Sequence, residues 1–197
     1  MPSLLDDFIA TPFVRDRREI TVAAPADIVF ETARDFDLLS IPIVRTIFWL
    51  RAKLLRATPP PRRWTGLVAE TRALGWGTLV EVPDRLHVAG AVCQPWVGNV
   101  VFTPIPPERF ASYAEPDRVK IVWTLETESL GPERTRLATE TRAEPTDLAA
   151  RHKFRRYWRK AGMGIVLIRW LGLPAMRRKA ERRWREVRPK RQMVSAS

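Results

Sequence analysis

The 197-residue sequence is poor in the side chains that carry nucleophilic or metal chemistry, with one cysteine and two histidines. Cys93 has no partner for an intrachain disulfide, so a disulfide-rich scaffold is excluded. His87, Cys93 and His152 do not have the spacing of a metal site, and we expect neither a metal nor a cofactor. A nucleophilic pair of Cys93 with either histidine would require convergence in space, and a small core residue is the simpler interpretation of Cys93.

Glycine is also scarce, with nine residues against 17 prolines, and no phosphate-binding loop is present. The pairs Gly75/Gly77 and Gly162/Gly164 lack the further glycines and the Lys-Ser/Thr ending of such a loop. Residues 1–10 carry two aspartates and no basic residue, and no long apolar stretch follows, which is unlike a signal peptide. These absences predict a cytoplasmic protein.

Positive charge, by contrast, is abundant but confined to one end. Residues 1–150 carry a net charge of −2 and residues 151–197 a net charge of +14. Within the basic segment, Ala161–Met176 is apolar except for Arg169, but a helix of this length rises only about 24 Å, which is too short to cross a bilayer. Three interpretations stay open for the segment: a solvated helix face, an anionic membrane surface at which the protein is peripheral, or nucleic acid. No nucleic-acid-reading motif is present, so we expect no specific nucleic-acid partner. The residues predicted to face a membrane are Arg169, Trp170, Arg177, Arg178, Lys179, Arg182 and Arg183.

Hydrophobic periodicity predicts one strand, two helices, a group of strands and a helical C-terminal third. The predicted elements before the sheet are a strand at Arg18–Ala23, a helix from Pro25, a helix at Val44–Arg56 and an extended linker at Ala57–Arg63. The predicted strands of the sheet are Trp76–Val82, Arg85–Val92, Val97–Phe102, Arg118–Thr127 and Arg134–Ala143. A helix capped by Thr146 or Asp147 follows, with a break or kink between Gly162 and Pro174 and a last short helix at Ala175–Arg188. This order predicts an α+β fold in which a curved antiparallel β-sheet wraps around a long C-terminal helix, with two short helices after the first strand.

The same segments resemble a known superfamily. Arg18–Phe30 (REITVAAPADIVF) resembles the opening of START-like, or SRPBCC, proteins, in which a strand runs into an Ala-Pro helix start. Lys120–Thr124, Leu130–Arg142, Asp147 and Phe154–Trp158 are similar to an uncharacterised bacterial branch of it. The resemblance covers residues 17–180 and implies the helix-grip fold. It also implies a range of activities, because that superfamily includes carriers, polyketide cyclases, hydrolases and regulators. We therefore divide the chain into an N-terminal extension (1–16), a ligand-binding domain (17–174) and a basic helix and tail (175–197).

The candidate ligand-binding residues lie on the elements that should enclose a cavity between sheet and helix. They are Trp76, His87, Trp123, Glu140, Arg142, Phe154 and Trp158. For Glu140 and Arg142 a solvated cross-strand charge ladder is the alternative interpretation, and for His87 an ordinary position on the wet face of the sheet. Trp49, Trp64 and Trp96 are expected at the surface or at a portal.

Two functions follow from this arrangement. The first is a non-catalytic carrier or sensor of a hydrophobic small molecule or lipid, since such pockets are mostly apolar with few polar anchors. The second, suggested by the resemblance, is a polyketide cyclase or dehydratase that uses His87 or Glu140 as general acid or base. A membrane-surface adaptor acting through the basic segment is a further alternative.

Overall fold

A computed structural model describes residues 4–57 and 66–195, with side chains through residue 188. Most of the predicted proline-rich linker, together with Trp64, lies outside the described residues. The strands are β1 (Val14–Val22), β2 (Gly77–Val82), β3 (Leu86–Cys93), β4 (Val119–Gly131) and β5 (Arg134–Pro145). The helices are α1 (Ala26–Arg34), α2 (Pro42–Leu54), α3 (Leu67–Ala73), α4 (Pro107–Phe110) and α5 (Leu148–Ser195), with short 3₁₀ helices at Leu4–Asp7 and Leu38–Ser40.

The five strands form one antiparallel sheet in the order β1-β5-β4-β3-β2, so the first strand pairs with the last. The long helix α5 packs on this curved sheet, which is the predicted α+β helix-grip architecture. Because side chains alternate along each strand, every residue of the sheet belongs to an inner face, toward α1 and α5, or to an outer face.

The inner face carries the main core of the protein. Val22, Trp123, Leu125 and Leu137 of the sheet pack against buried apolar residues of α1 and α5. From α1 these are Ile28, Val29, Phe30 and Ala33, and from α5 they are Leu173, Met176, Ala180 and Trp184. A second cluster at the other end of the same face joins Val119 and Ala143 to Phe154.

The outer face is covered by the chain's own N-terminal segment. Leu5 and Ile9 are buried against Leu79, Val88 and Val122 of the sheet, in a cluster that also includes Phe110 of α4. Residues 1–16 are predicted to be an N-terminal extension, whereas Leu5 and Ile9 within this range contribute to the core. The predicted boundaries at 16/17 and 174/175 fall inside β1 and inside α5, and the division into three segments stays a prediction.

Helix α5 is continuous from Leu148 to Ser195, so the prediction of a break and a separate helix at Ala175–Arg188 was wrong. Asp147 caps its start as predicted, by accepting a hydrogen bond from the Ala150 N–H at 2.7 Å. The glycines of α5 are sites of close approach. A β-carbon at Gly164 would lie 3.1 Å from Ile47 Cγ2 of α2, and one at Gly172 would lie 3.2 Å from Leu38 Cδ2.

Two further predictions about the elements were wrong. Val97–Phe102 is not a strand, and this region contributes only an isolated bridge between Val92 and Thr103. Prolines at 104, 106 and 107 follow immediately and lack the N–H groups that a ladder needs. Helix α3 was not predicted, so three α-helices rather than two separate β1 from β2.

Neighbouring leucines of the N-terminal segment test its role in the core. Leu5 is 2% exposed and Leu4 is 44% exposed. We expect Leu5→Ala to lower the free energy of unfolding by about 2–5 kcal/mol, the range for truncating a buried leucine. The matched change Leu4→Ala should stay within about 0.5 kcal/mol of wild type in urea denaturation. Equal effects of the two changes would contradict a structural role for this segment.

Candidate functional site

Strand β3 presents an unusual series of side chains to the inner face. His87, Ala89, Ala91 and Cys93 alternate along it, so one histidine is followed by three small residues in the middle of the sheet. All four are buried, and His87 is only 1% exposed. The interpretation of His87 as a wet-face residue was therefore wrong, and its alternative role as a proton donor in a cavity stays a prediction.

The His87 ring is surrounded by groups from three elements. It lies 5.7 Å from the Trp123 ring of β4, centroid to centroid. Its Nδ1 is 3.8 Å from Glu81 Oε1 of β2, and Glu81 in turn pairs with Arg72 of α3 at 2.7 Å. Burial lowers the pKa of His87, an effect that Glu81 opposes and Arg72 reinforces. The imidazole is accordingly neutral near pH 7, with one nitrogen able to donate and the other able to accept a hydrogen bond.

Several polar atoms on this side of the sheet have no hydrogen-bond partner in the described part of the chain. They are both ring nitrogens of His87, the Trp123 indole Nε1 and the Thr32 hydroxyl of α1. Buried polar side chains are nearly always satisfied in folded proteins, by protein groups or by small molecules. The arrangement therefore offers two donors and at least one acceptor to a polar group placed between them.

The other predicted aromatic residues are not gathered around His87. Trp76 packs at the edge of the main core and against Phe102, with ring centroids 5.1 Å apart. Phe154 and Trp158 contact each other in the second cluster at the far end of the inner face. Of the predicted wall, only His87 and Trp123 form one constellation.

A buried cation lies between the two inner-face clusters. Arg169 of α5 points to the sheet, where its guanidinium binds Asp16 Oδ2 at 2.9 Å and also contacts the Thr141 hydroxyl. The prediction that Arg169 faces a membrane was therefore wrong, because its charge is compensated inside the protein. Burial lowers its pKa, and Asp16 opposes that effect. Trp170, the next residue, is 63% exposed.

Glu140 and Arg142 lie on the outer face, on the opposite side of the sheet from His87. Strand alternation places them with Val122, while Thr141 between them faces α5. Both side chains are 1% exposed, so neither the predicted cavity position nor the solvated charge ladder is correct. The N-terminal segment buries them: Arg142 donates to Asp6 Oδ1 at 2.6 Å and to the Ile9 carbonyl at 2.8 Å.

The outer-face carboxylate is fully committed to ion pairs. Glu140 is held by Arg142 and Arg15, each at 2.8 Å, and Arg17 lies 3.4 Å away. Burial alone would raise the pKa of Glu140, but the guanidinium groups of Arg142 and Arg15 outweigh it and hold that pKa below its usual value. A carboxylate that stays ionised and faces three arginines is a structural anchor and a poor general acid.

Cys93 is not an activated nucleophile. Burial raises the pKa of its thiol to about 12, so the unreactive protonated form dominates. His87 is six residues away along the same extended strand, a separation of about 20 Å. His152 is exposed on α5. Among the described residues, no three metal-binding side chains converge.

Among the hollows on the described surface are two that lie along the helices. One of about 230 Å³ is lined by Arg156, Arg159 and Lys160, and one of about 300 Å³ by Arg45, Thr46 and Trp49. Neither is the predicted cavity between sheet and helix. Over the described ranges, no helix is apolar enough for long enough to cross a bilayer.

Comparison with known proteins gives structural likenesses at low identity and no sequence match. No protein-family model matches the chain, and no curated protein does. The chain is similar to a hypothetical protein of Helicobacter pylori, at 9% identity and a TM-score of 0.43, over 91% of this chain and 95% of that one. It is also similar to the ZhuI aromatase/cyclase of Streptomyces, at 16% identity and a TM-score of 0.29, over 86% and 94% of the two chains. The architecture above rests on the chain's own strands and helices, and membership of the START-like superfamily stays a prediction.

The lowered pKa of His87 predicts an acid-sensitive fold. At a pH above its unfolded value of about 6.5, His87 is neutral in both states and adds no pH dependence. As the pH falls below that value, the unfolded chain takes up a proton that the folded chain resists, so stability decreases toward the lower folded pKa. We expect His87→Leu to reduce the loss of thermal stability between about pH 7 and about pH 5. The same change at exposed His152 should leave that loss unchanged, and equal slopes for wild type and His87→Leu would contradict the assignment.

The buried outer-face ion pairs of Glu140 predict an effect on the free energy of unfolding that is independent of His87. Glu140→Gln leaves Asp6 as the one carboxylate known to pair with the buried Arg142, which still donates to the Ile9 carbonyl. We expect a loss in the free energy of unfolding of about 3 kcal/mol, the lower end for a broken buried pair, because Arg15 and Arg17 are open to water. Glu128→Gln removes an exposed pair with Arg136 on the same two strands and should cost less than about 1 kcal/mol. Chemical denaturation distinguishes the two, and similar losses would show that burial of Glu140 has no energetic consequence.

Proposed function

We propose that this protein binds a hydrophobic small molecule or lipid at the inner face of β3, with His87 and Trp123 as its polar anchors. The observation that carries the proposal is the constellation of buried polar atoms without a protein partner: both ring nitrogens of His87 and the Trp123 indole N–H. A hydroxyl or carbonyl group of a ligand would form hydrogen bonds with these atoms. Burial has already removed their contact with water, so ligand binding would add little further desolvation at these atoms.

The residues that follow His87 supply the apolar part of such a site. Ala89, Ala91 and Cys93 extend only short side chains from the inner face over a distance of about 13 Å along the strand. These small residues on the inner face would allow an aliphatic chain or ring system to lie along β3 after modest movement of the helices. Specificity would come from the His87 end, since hydrogen bonds orient an otherwise apolar ligand.

Catalysis by His87 is the second candidate. A neutral, buried imidazole beside the small inner-face residues of β3 could remove a proton from a polyketide-like substrate, with Glu81 3.8 Å from its other nitrogen. Glu140 has no part in this version, because it lies on the opposite face of the sheet. Turnover of polyketide substrates that is abolished by His87→Gln would favour the enzyme over the carrier.

Binding is tested with a dansyl-labelled fatty acid whose absorption overlaps tryptophan emission. We expect saturable energy transfer with a micromolar or lower dissociation constant. His87→Leu removes the polar anchor and should weaken binding about two- to tenfold, the value of one neutral hydrogen bond. Ala91→Leu places a larger side chain on the apolar path and should weaken binding at least tenfold while the protein still folds.

The matched control is Ala111→Leu, an alanine exposed at the end of α4. It should bind the probe as wild type does. If the inner face is filled by the protein itself, wild type will not bind the probe, and Ala91→Leu will lose the 1–3 kcal/mol typical of an overpacked core. That pair of results would refute the proposal.

A further inference from the structure

Helix α2 presents its apolar residues to solvent. Of its 13 residues only Val44 is buried. Ile43, Trp49, Leu50 and Leu54 are each more than half exposed, at 53, 59, 58 and 66%. An amphipathic surface helix normally turns its apolar stripe toward the core, so this orientation reverses the usual arrangement.

The adjoining part of α5 adds to the same surface. Ile47 of α2 contacts α5 at Gly164, and Arg51 of α2 reaches Tyr157 of α5, so the two helices lie side by side. On α5, Met163 is 83% exposed and Trp170 is 63% exposed. We call the six residues Ile43, Trp49, Leu50, Leu54, Met163 and Trp170 the helical apolar patch. Isolated exposed apolar residues are common in proteins, but six on two adjacent helices are typical of an interaction site.

The two helical segments that carry the patch contain basic side chains and no acidic ones. Between Leu38 and Ala57, and between Leu148 and Ala180, the sequence contains no aspartate or glutamate. Arg45 and Lys53 of α2 and Arg156, Arg159 and Lys160 of α5 are exposed, and none pairs with a carboxylate in the described part of the chain. Lys53 lies over the Trp49 ring at 5.1 Å.

The two hollows described above are lined in part by these cations. One is formed by the three α5 cations, and the other by Arg45, Thr46 and Trp49. Each combines guanidinium or ammonium donors with an adjacent exposed apolar side chain, Met163 in the first case and Trp49 in the second. Such a combination is complementary to a lipid, because the phosphate would bind the cations and the acyl chains would contact the apolar residue.

We infer that the helical apolar patch docks on an anionic lipid membrane, with α2 lying in the interface and the α5 cations against the headgroups. Self-association fits less well, because pairing two copies across a two-fold axis would bring like charges together. The C-terminal residues predicted for this role are less suitable: Arg177 pairs with Glu181, Arg183 with Glu31, and Lys179 covers Phe36. The inference does not depend on the inner-face site.

The test is co-sedimentation of the full chain with vesicles of phosphatidylglycerol and phosphatidylcholine in equal parts. We expect binding that is accompanied by a blue shift of tryptophan emission and is lost in high salt, and little binding to phosphatidylcholine alone. Trp49→Ser with Leu50→Ser should reduce the partition coefficient at least tenfold. Arg156→Gln with Arg159→Gln should reduce it about 25-fold, since each cation near an anionic surface contributes about fivefold.

Two control variants test whether binding depends on the helical apolar patch and its neighbouring cations, or on any exposed leucine and any positive charge. Leu148→Ser changes an exposed leucine of α5 outside the patch and should bind as wild type does. Arg182→Gln with Arg185→Gln removes the same charge from the distal part of α5 and should have a several-fold smaller effect than the Arg156/Arg159 pair. Equal losses for the two arginine pairs, or unchanged binding of the Trp49/Leu50 variant, would overturn the inference. A wild-type dimer that the Trp49/Leu50 change dissociates would overturn it in favour of a second copy.

Discussion

The register of β4 with β5 determines what each surface of this protein can do. Trp123 pairs with Thr141 and Val122 with Arg142, so residues adjacent in sequence are sent to opposite sides of the sheet. On the inner side this leaves a neutral histidine, an indole N–H and a run of small residues against α1 and α5. On the outer side it buries a glutamate among arginines beneath the N-terminal segment. A register shift of one residue between β4 and β5 would move the inner-face and outer-face side chains to opposite faces, where each set would lack the residues that it now contacts.

The sequence predicted the elements better than their surroundings. Four of the five strands predicted after residue 75, their antiparallel character and the cap at Asp147 followed from local periodicity and turn residues. The face occupied by Glu140 and Arg142 did not, because alternation shows only that the two share a face, and the partner that buries them is more than 130 residues away. The apolar spacing of Leu5, Phe8 and Ile9 was the available signal. Glycines within a helix predict a break, but at Gly164 and Gly172 of α5 the missing side chain instead allows neighbouring segments to approach.

Two groups of side chains are not explained by the fold, and they lie on different parts of the molecule. One is polar and buried, at His87 and Trp123. The other is apolar and exposed, on α2 and the middle of α5, with uncompensated cations on the same helices. The basic residues of the C-terminal third therefore lie in different environments. Arg169 stabilises the contact between α5 and the sheet, several distal residues pair within the protein, and the cations near Lys160 face solvent.

The central claim is that a ligand binds against His87, and the chain's two histidines allow a direct measurement. Protein labelled with ¹⁵N in the histidine rings gives one set of ring signals for buried His87 and one for exposed His152. Titration with an unlabelled fatty acid or fatty alcohol should shift the His87 nitrogens in a saturable manner and leave those of His152 unchanged. His87 signals that do not move at saturating probe, or that move in parallel with those of His152, would contradict the account.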